Sequence, residues 1–342
     1  MAVPASPAPL LLALDGNSLL HRAYHAAATG RLLDRDDRPV WAIKGLVGYL
    51  ARAAARLGPD AVLVGFDCPD HSVRKVDYPA YKAHRPTKAA DLAEQIAAAP
   101  DLLRATGVCT VLHRAYEADD VLASSAARAR RDGWRCVVMT SDRDAFALID
   151  PGTSVLRVRN GGLDESVMVT PATLAKVYGV EPRQYPDYAA LRGDPSDNLP
   201  GVRGFGSRRA AALLAAFGTI EAAWAALEGG DAAAVRAVVG EATAGFLAAP
   251  AAREIVARNR RLMRMRADLP LPELDAARLP LDRASMRRAL AARGIILGPS
   301  LWALTGGSPP QEPPADDPPV PAPRWSPRGR RREPLPGQLT LF

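Results

Sequence analysis

Acidic residues recur in five short segments of this 342-residue chain, at spacings that let several carboxylates meet one cation. Asp15 ends the run LLLAL and Asp67 ends AVLVGF. The segment YEADDVLA carries Glu117, Asp119 and Asp120, SDRDAF carries Asp142 and Asp144, and GDPSDN carries Asp194 and Asp197. Taken singly, any of these acids serves equally well as a helix cap or a turn residue. One acid suffices for a cap, however, and the three crowded between 117 and 120 repel one another unless a cation neutralises them. An all-oxygen set without His or Cys suits Mg²⁺, with Mn²⁺ as a substitute. Two such ions acting on one phosphodiester would lower the pKa of a bound water and stabilise the attacking and leaving oxygens. The chemistry expected is hydrolysis of a phosphate ester.

The elements that must position these acids alternate. LLLAL at 10–14, AVLVGF at 61–66 and CVVM at 136–139 read as buried parallel strands, each running into an aspartate or a polar turn. Alanine-rich stretches of helical spacing separate them, such as VWAIKGLVGYLARAAARLG, ended by Gly58 and Pro59. Open α/β sheets bind ligands beyond the carboxyl ends of their strands, where Asp15, Asp67 and Asp142 fall. From about Thr170 the strand signal gives way to short helices and glycine hairpins, and beyond Thr305 the chain turns proline-rich with little apolar surface to bury. The expected organisation is an α/β domain over 1–180, a helical module over 181–300 and a disordered tail over 301–342.

A formal charge of +7 and a pI near 9.6 favour a polyanionic partner. No apolar run is long enough to cross a bilayer, and the N-terminal stretch lacks the basic region of a secretory signal, so a cytoplasmic, nucleoid-associated monomer without membrane contact is expected. Cys68, Cys109 and Cys136 lack CxxC spacing, which argues against zinc or a disulfide framework and for buried small hydrophobes.

Five ordered motifs, LDGNSLLHRAYHA, GFDCPDHSVRKVDYPAYKAHR, YEADDVLA, TSDRDAFALI and LRGDPSDNLPGVRGFGSRRA, resemble the 5′ nuclease domain of bacterial DNA polymerase I and the related flap endonucleases, here as a freestanding protein over residues 10 to about 300. The resemblance implies a PIN-like (resolvase-like) parallel sheet flanked by helices, followed by a SAM-like helix-three-turn-helix module. It implies a first metal site of Asp15, Asp67, Glu117 and Asp119 with Asp120 beside it, and a second of Asp142, Asp144, Asp194 and Asp197. Arg143 and Arg208 stand where lysine is common in the family, keeping the charge, and SDRD replaces the more usual GDKD. It further implies a helical arch over about 70–105 that admits the free 5′ end, with Arg74, Lys82 and Arg85 as phosphate-contacting catalytic cations and Tyr81 stacked on a base. A cation beside the scissile phosphate stabilises developing charge, and a guanidinium grips phosphate through two hydrogen bonds. Arg22 is a further candidate for DNA contact, though for Arg22, Tyr24 and Lys44 an ordinary core or surface role is equally open. The substrate class implied is DNA with 5′ flaps or free 5′ ends, including RNA–DNA hybrids. The alternative is a non-catalytic DNA-junction binder recruited by the sliding clamp; loss of a second-site carboxylate would favour it, and none is lost.

In PGVRGFGSRRAAALL, Gly201, Gly204 and Gly206 precede an alanine-rich helix, an arrangement that lets backbone amides approach phosphate, with Arg203, Arg208 and Arg209 adding salt-dependent affinity. The family hairpin also binds K⁺, which joins the implied cofactors. The chain ends in Gln338, Leu339, Thr340, Leu341 and Phe342, which resemble the peptide by which bacterial replication and repair proteins bind the sliding clamp.

Overall fold

The apolar runs extend as strands β1 (Leu10–Asp15), β2 (Ala61–Phe66), β3 (Cys109–Leu112) and β4 (Arg135–Thr140). The computed structural model describes residues 7–26, 32–297 and 301–309. With β5 (Thr153–Arg159) and β6 (Gly162–Val169) the strands form a six-stranded sheet in the order β3-β2-β1-β4-β5-β6. Its first five strands are parallel, and β6 returns antiparallel along β5. Every residue of β1 and β2 is buried, as a central parallel strand covered on both faces requires.

The strand period of two divides β1 between two cores. Leu10, Leu12 and Leu14 pack against α1 (Gly16–Ala26), α2 (Trp41–Leu57) and α4 (Ala90–Ala105), preceded by the short α3 (Val73–Asp77). Leu11 and Ala13 face α5 (Ala118–Arg131) and the helices that follow. From β1 the chain moves outward to β2 and β3, then crosses back to β4 on the other side of β1. That reversal opens a crevice between the carboxyl ends of β1 and β4.

Beyond the sheet come α6 (Pro171–Tyr178), α7 (Tyr185–Arg192) and a two-residue ladder of β7 (Gly193–Asp194) with β8 (Leu199–Pro200). Then follow α8 (Ser207–Phe217), α9 (Ile220–Glu228), α10 (Ala232–Val239), α11 (Glu241–Ala248) and α12 (Pro250–Met263). Their apolar faces share one cluster with the sheet, in which Leu191, Leu213 and Val256 join Leu11 and Val138. Asn259, fully buried on α12, donates to the carbonyls of Ala190 (2.9 Å) and Pro200 (3.1 Å) and so ties α12 to α7 and β8.

Three expectations change. Helix α4, placed by sequence in the arch, is a core helix: Leu92, Ala99, Leu102 and Leu103 are buried, and residues 83–90 are the longest exposed run of that region. The last part of the expected helical module, α13 (Arg283–Ala292), buries Met286 and Leu290 in the core of α2 and α4. The start of the expected tail is folded, because α14 (Trp302–Thr305) offers Leu304 to that core and its carbonyl accepts from the Leu281 N–H at 2.7 Å. Of the cysteines only Cys136 is fully buried; Cys68 and Cys109 are half-buried. No single helix among the described residues is long and apolar enough to cross a membrane.

Candidate metal centre

Asp15, the last residue of β1, is 5% exposed and accepts from the Ser18 N–H (2.9 Å) and the Thr140 hydroxyl (2.8 Å) at the end of β4. Asp67, one residue past β2, accepts from the Ala118 N–H at 2.8 Å, at the amino end of α5 where the helix field favours a carboxylate. Its own N–H donates to Asn17 Oδ1 at 3.0 Å. Glu117, just before α5, accepts from Ser72 Oγ (2.9 Å), the Tyr81 hydroxyl (3.1 Å) and Lys82 Nζ (2.8 Å). Asp142 follows β4 and accepts from the Asp144 N–H at 2.9 Å. Asp194 caps the next turn by accepting from the Ser196 N–H at 2.8 Å. One carboxylate oxygen from each of Asp144, Asp194 and Asp197 lies within 4.8 Å of the others.

These acids are held against their own repulsion. Burial, and after it the charge of Asp67, pushes Asp15 up to about 7. Burial followed by Asp142 and Asp15 drives Asp119 well above the usual carboxylate range, and burial followed by Asp142, Asp194 and Asp197 does the same to Asp144. Asp142 thus repels acids of both groups and stands between them. Glu117 differs: burial opposes its charge, yet Lys82 and Arg74 outweigh burial and hold it below its ordinary value. Crowded, buried oxygen donors with no histidine or cysteine among them fit hard divalent cations.

Asp120 has another task. It lies on α5 next to Asp119, but successive helical residues are turned by about 100°, and its side chain points into the protein, fully buried. There it forms a two-pronged ion pair with Arg74, at 2.7 Å on both prongs, and accepts from the N–H groups of Glu117 (3.1 Å) and Arg266 (2.8 Å). Arg74, expected at a phosphate, is 7% exposed and also donates to the carbonyls of Leu262 (2.8 Å) and Arg264. This pair fastens α3 to α5 and to the segment after α12.

Tyr81, expected to stack on a base, is 3% exposed, packed with Leu199 and Leu262 while its hydroxyl donates to Glu117. Lys82 bridges acids of both groups, 2.8 Å from Glu117 and 3.8 Å from Asp197, and Arg85 reaches Asp197 at 2.5 Å. Arg22 donates to Asn160 at 3.2 Å. Arg203 lies over the Phe246 ring, 4.6 Å from its centroid, and Arg209 donates to the Gly204 carbonyl at 3.1 Å, while Arg208 is exposed on α8. Gly201 answers to internal packing, since a Cβ there would lie 2.3 Å from the Arg192 backbone. Gly204 adopts a left-handed φ of 85°, and Gly206 opens α8 with no side-chain cap. Gln338, Leu339, Leu341 and Phe342 lie outside the described residues.

The sequence reading passes over several partners. Asn17, Ser72 and Thr140 each bond a carboxylate or its backbone, and Ser18, on α1, and Ser141, just past β4, join hydroxyls 2.5 Å apart. Asn17, Ser18, Thr140 and Ser141 adjoin the acidic motifs, which was the available signal. Ser72 carries none.

The fold and its acids define an architectural class, a resolvase-like α/β sheet joined to a SAM-like helical fold. A family model for the N-terminal resolvase-like domain of 5′-3′ exonucleases matches residues 10–179, and one for their C-terminal SAM fold matches 180–285; the chain belongs to the 5′-3′ exonuclease family. It is 37% identical over 282 residues to DNA polymerase I of Mycobacterium tuberculosis, covering 82% of this chain and 30% of that protein. It is 38% identical over 216 residues to the thermostable DNA polymerase I of Thermus aquaticus, covering 63% of this chain and 25% of that protein. The chain therefore spans less than a third of these relatives. The fold is similar to that of the T5 D15 protein co-crystallized with metal ions (TM-score 0.58, 19% identity, 83% of this chain and 93% of that one). It is also similar to human GEN1 in complex with Holliday junction DNA (TM-score 0.52, 14% identity, 86% and 71%).

Two outcomes follow from this geometry. Arg74→Met strands a buried carboxylate and should lower the unfolding free energy by about 3–5 kcal/mol in urea denaturation, with Asp120→Leu restoring much of the loss; a change below about 1 kcal/mol would return Arg74 to a surface role. Because the folded-state pKa of Asp15 is raised from 3.8 to about 7, the folded protein keeps a proton that the unfolded chain has lost, so stability falls as pH rises through that window. Mg²⁺ binds the deprotonated form, so its increase in Tm should be larger at pH 8 than at pH 5, and equal increases would remove the cluster as the binding site.

Proposed function

We propose that this chain hydrolyses DNA phosphodiesters at 5′ ends and 5′ flaps, as a 5′-3′ exonuclease and structure-specific flap endonuclease of replication and repair. The observation that carries the reading is the meeting of acids from β1, β2, α5, β4 and the β7–β8 turn at the switch point of the sheet. Asp15, Asp67, Glu117 and Asp119 would hold one Mg²⁺, and Asp142, Asp144, Asp194 and Asp197 a second. Bound there, two such ions supply an activated water and stabilise the charge on the attacking and leaving oxygens.

The chain's own residues set the stage for that chemistry. Backbone amides of Ser18, Ala118, Asp144 and Ser196 fix the orientation of Asp15, Asp67, Asp142 and Asp194. Lys82 and Arg85, which neutralise Glu117 and Asp197, would hold positive charge beside a phosphate that approaches these acids. The relatives' membership in DNA polymerase I and the DNA complexes among the similar folds support DNA as the substrate class. The Gln338–Phe342 peptide is read as a ligand for a sliding clamp, carried on a proline-rich segment long enough to reach it.

With Mg²⁺ the full chain should cleave a 5′-flapped duplex near the junction. Asp142→Ala, which removes the acid between the groups, should lower the rate at least ~10³-fold, within the range that loss of metal-assisted chemistry allows, while binding of the flap in Ca²⁺ is kept. Absence of wild-type cleavage on flap, nick and overhang substrates would defeat the enzyme reading and favour a junction binder. Removal of residues 338–342 should abolish binding to a purified bacterial sliding clamp without altering cleavage of free flaps; retained clamp binding would eliminate that role for the peptide.

A further inference from the structure

Beside the second group of acids a cleft of about 660 Å³ opens between the ends of β4 and β5, the α7–β7 junction and the start of α8. Asp142, Asp144 and Asp194 line it, and so do Arg143, Arg157 and Arg192. Among the described residues none of these arginines forms an ion pair, although three carboxylates share the cleft and Arg143 sits between two of them in sequence. Arg192 has a buried Nε without a hydrogen-bond partner, its guanidinium lying 5.5 Å from the centre of the Tyr188 ring. Arg157 donates weakly to the Ser141 carbonyl at 3.5 Å and also meets the Tyr178 hydroxyl, neither of them a carboxylate. Burial, and after it the like charge of Arg143, disfavours its charge, and Tyr178 offsets only part of this.

A cleft whose acids and guanidinium groups form no ion pairs with one another costs electrostatic energy in both halves. One ligand chemistry relieves both. A phosphate accepts paired hydrogen bonds from guanidinium forks, which suit it better than ammonium groups do, while a divalent cation satisfies the carboxylates and the phosphate's remaining oxygens. A carboxylate side chain from elsewhere would serve the arginines alone, and none among the described residues forms an ion pair with them.

We infer that Arg143, Arg157 and Arg192 form a phosphate-binding subsite for the nucleic-acid strand, adjoining the Asp144–Asp194–Asp197 group and separate from it. The inference rests on the nuclease reading and adds the place where a neighbouring phosphate of the bound strand sits. Its register is set by β5 and α7, rigid elements of the fold, so the subsite fixes how far the strand advances past the acids.

The test measures the affinity of the full chain for a 5′-flapped duplex in Ca²⁺ across a series of KCl concentrations. Arg143→Gln, at an exposed position that tolerates the change, and Arg157→Gln should each reduce the slope of log K against log salt by about 0.9, the value for one lost phosphate contact. Arg157→Lys should keep the slope and weaken binding less. Substrates with a neutral methylphosphonate at single linkages beside the scissile bond, and substrates with and without a 5′-phosphate, then identify the group. Loss of the Arg157→Gln effect on one neutral linkage assigns a backbone diester, and its loss on removing the 5′-phosphate assigns the strand's end. Slopes equal to wild type for both glutamine variants would overturn the inference, and would do so without touching the nuclease reading whenever the same wild-type preparation cleaves the flap in Mg²⁺.

Discussion

The arrangement turns on mutual repulsion between carboxylates that the fold buries side by side. A carboxylate moved out of water loses solvation, and a second one beside it adds to the cost. The sheet accepts that cost at the single place where its strands diverge, between the carboxyl ends of β1 and β4. Backbone amides offset part of it for Asp15, Asp67, Asp142 and Asp194, and Lys82 and Arg85 offset more at Glu117 and Asp197. Asp119 and Asp144 retain a penalty, and the upward direction of their pKa values records it. A protein with no need of a cation would have little reason to hold such a cluster.

The strands and their terminal aspartates were legible because a parallel strand buried on both faces has to be apolar throughout, so the first acid after such a run marks its end. The pairing partners were not. Arg74 and Asp120 are separated by 46 positions, and Asp120 shares its motif with Asp119, so spacing alone assigned both to the metal. Only the rotation of α5 distinguishes an acid facing the crevice from one facing the interior. Tyr81 and Lys82 are adjacent yet divide in the same way, the ring entering the core and the amine reaching the acids. Arg157 belongs to no motif, and nothing in its neighbours in sequence marks β5 as a cleft wall. Helix α14 was hidden by the proline-rich composition that begins just after it.

The helical region is bound into the site as much as the sheet is. Asp194 and Asp197 hang on the β7–β8 ladder, which closes because Gly193 and Gly201 lack side chains where any Cβ would strike backbone. Asn259 spans the outside of that ladder from α12. The end of α12 and the segment after it then supply one carbonyl each to Arg74, from Leu262 and Arg264, and the Arg266 amide to Asp120. Acids from the sheet and acids from the helices thus keep their spacing through a continuous set of buried polar contacts.

Lys82 and Asn198 are both left-handed, at φ of 54° and 60°, a conformation that costs a non-glycine residue about 1–2 kcal/mol and needs support to persist. The support is reciprocal: the Lys82 N–H donates to the Asp197 carbonyl at 3.0 Å, and the Asn198 side-chain amide donates to the Ala80 carbonyl at 2.8 Å. These two bonds make the bases of two distant loops a single mechanical joint. The exposed stretch 83–90 is thereby tied at its base, through one main-chain bond and one side-chain amide, to the turn that carries Asp197. The stretch and the acid-bearing turn therefore share one anchor, and neither keeps its backbone conformation without the other.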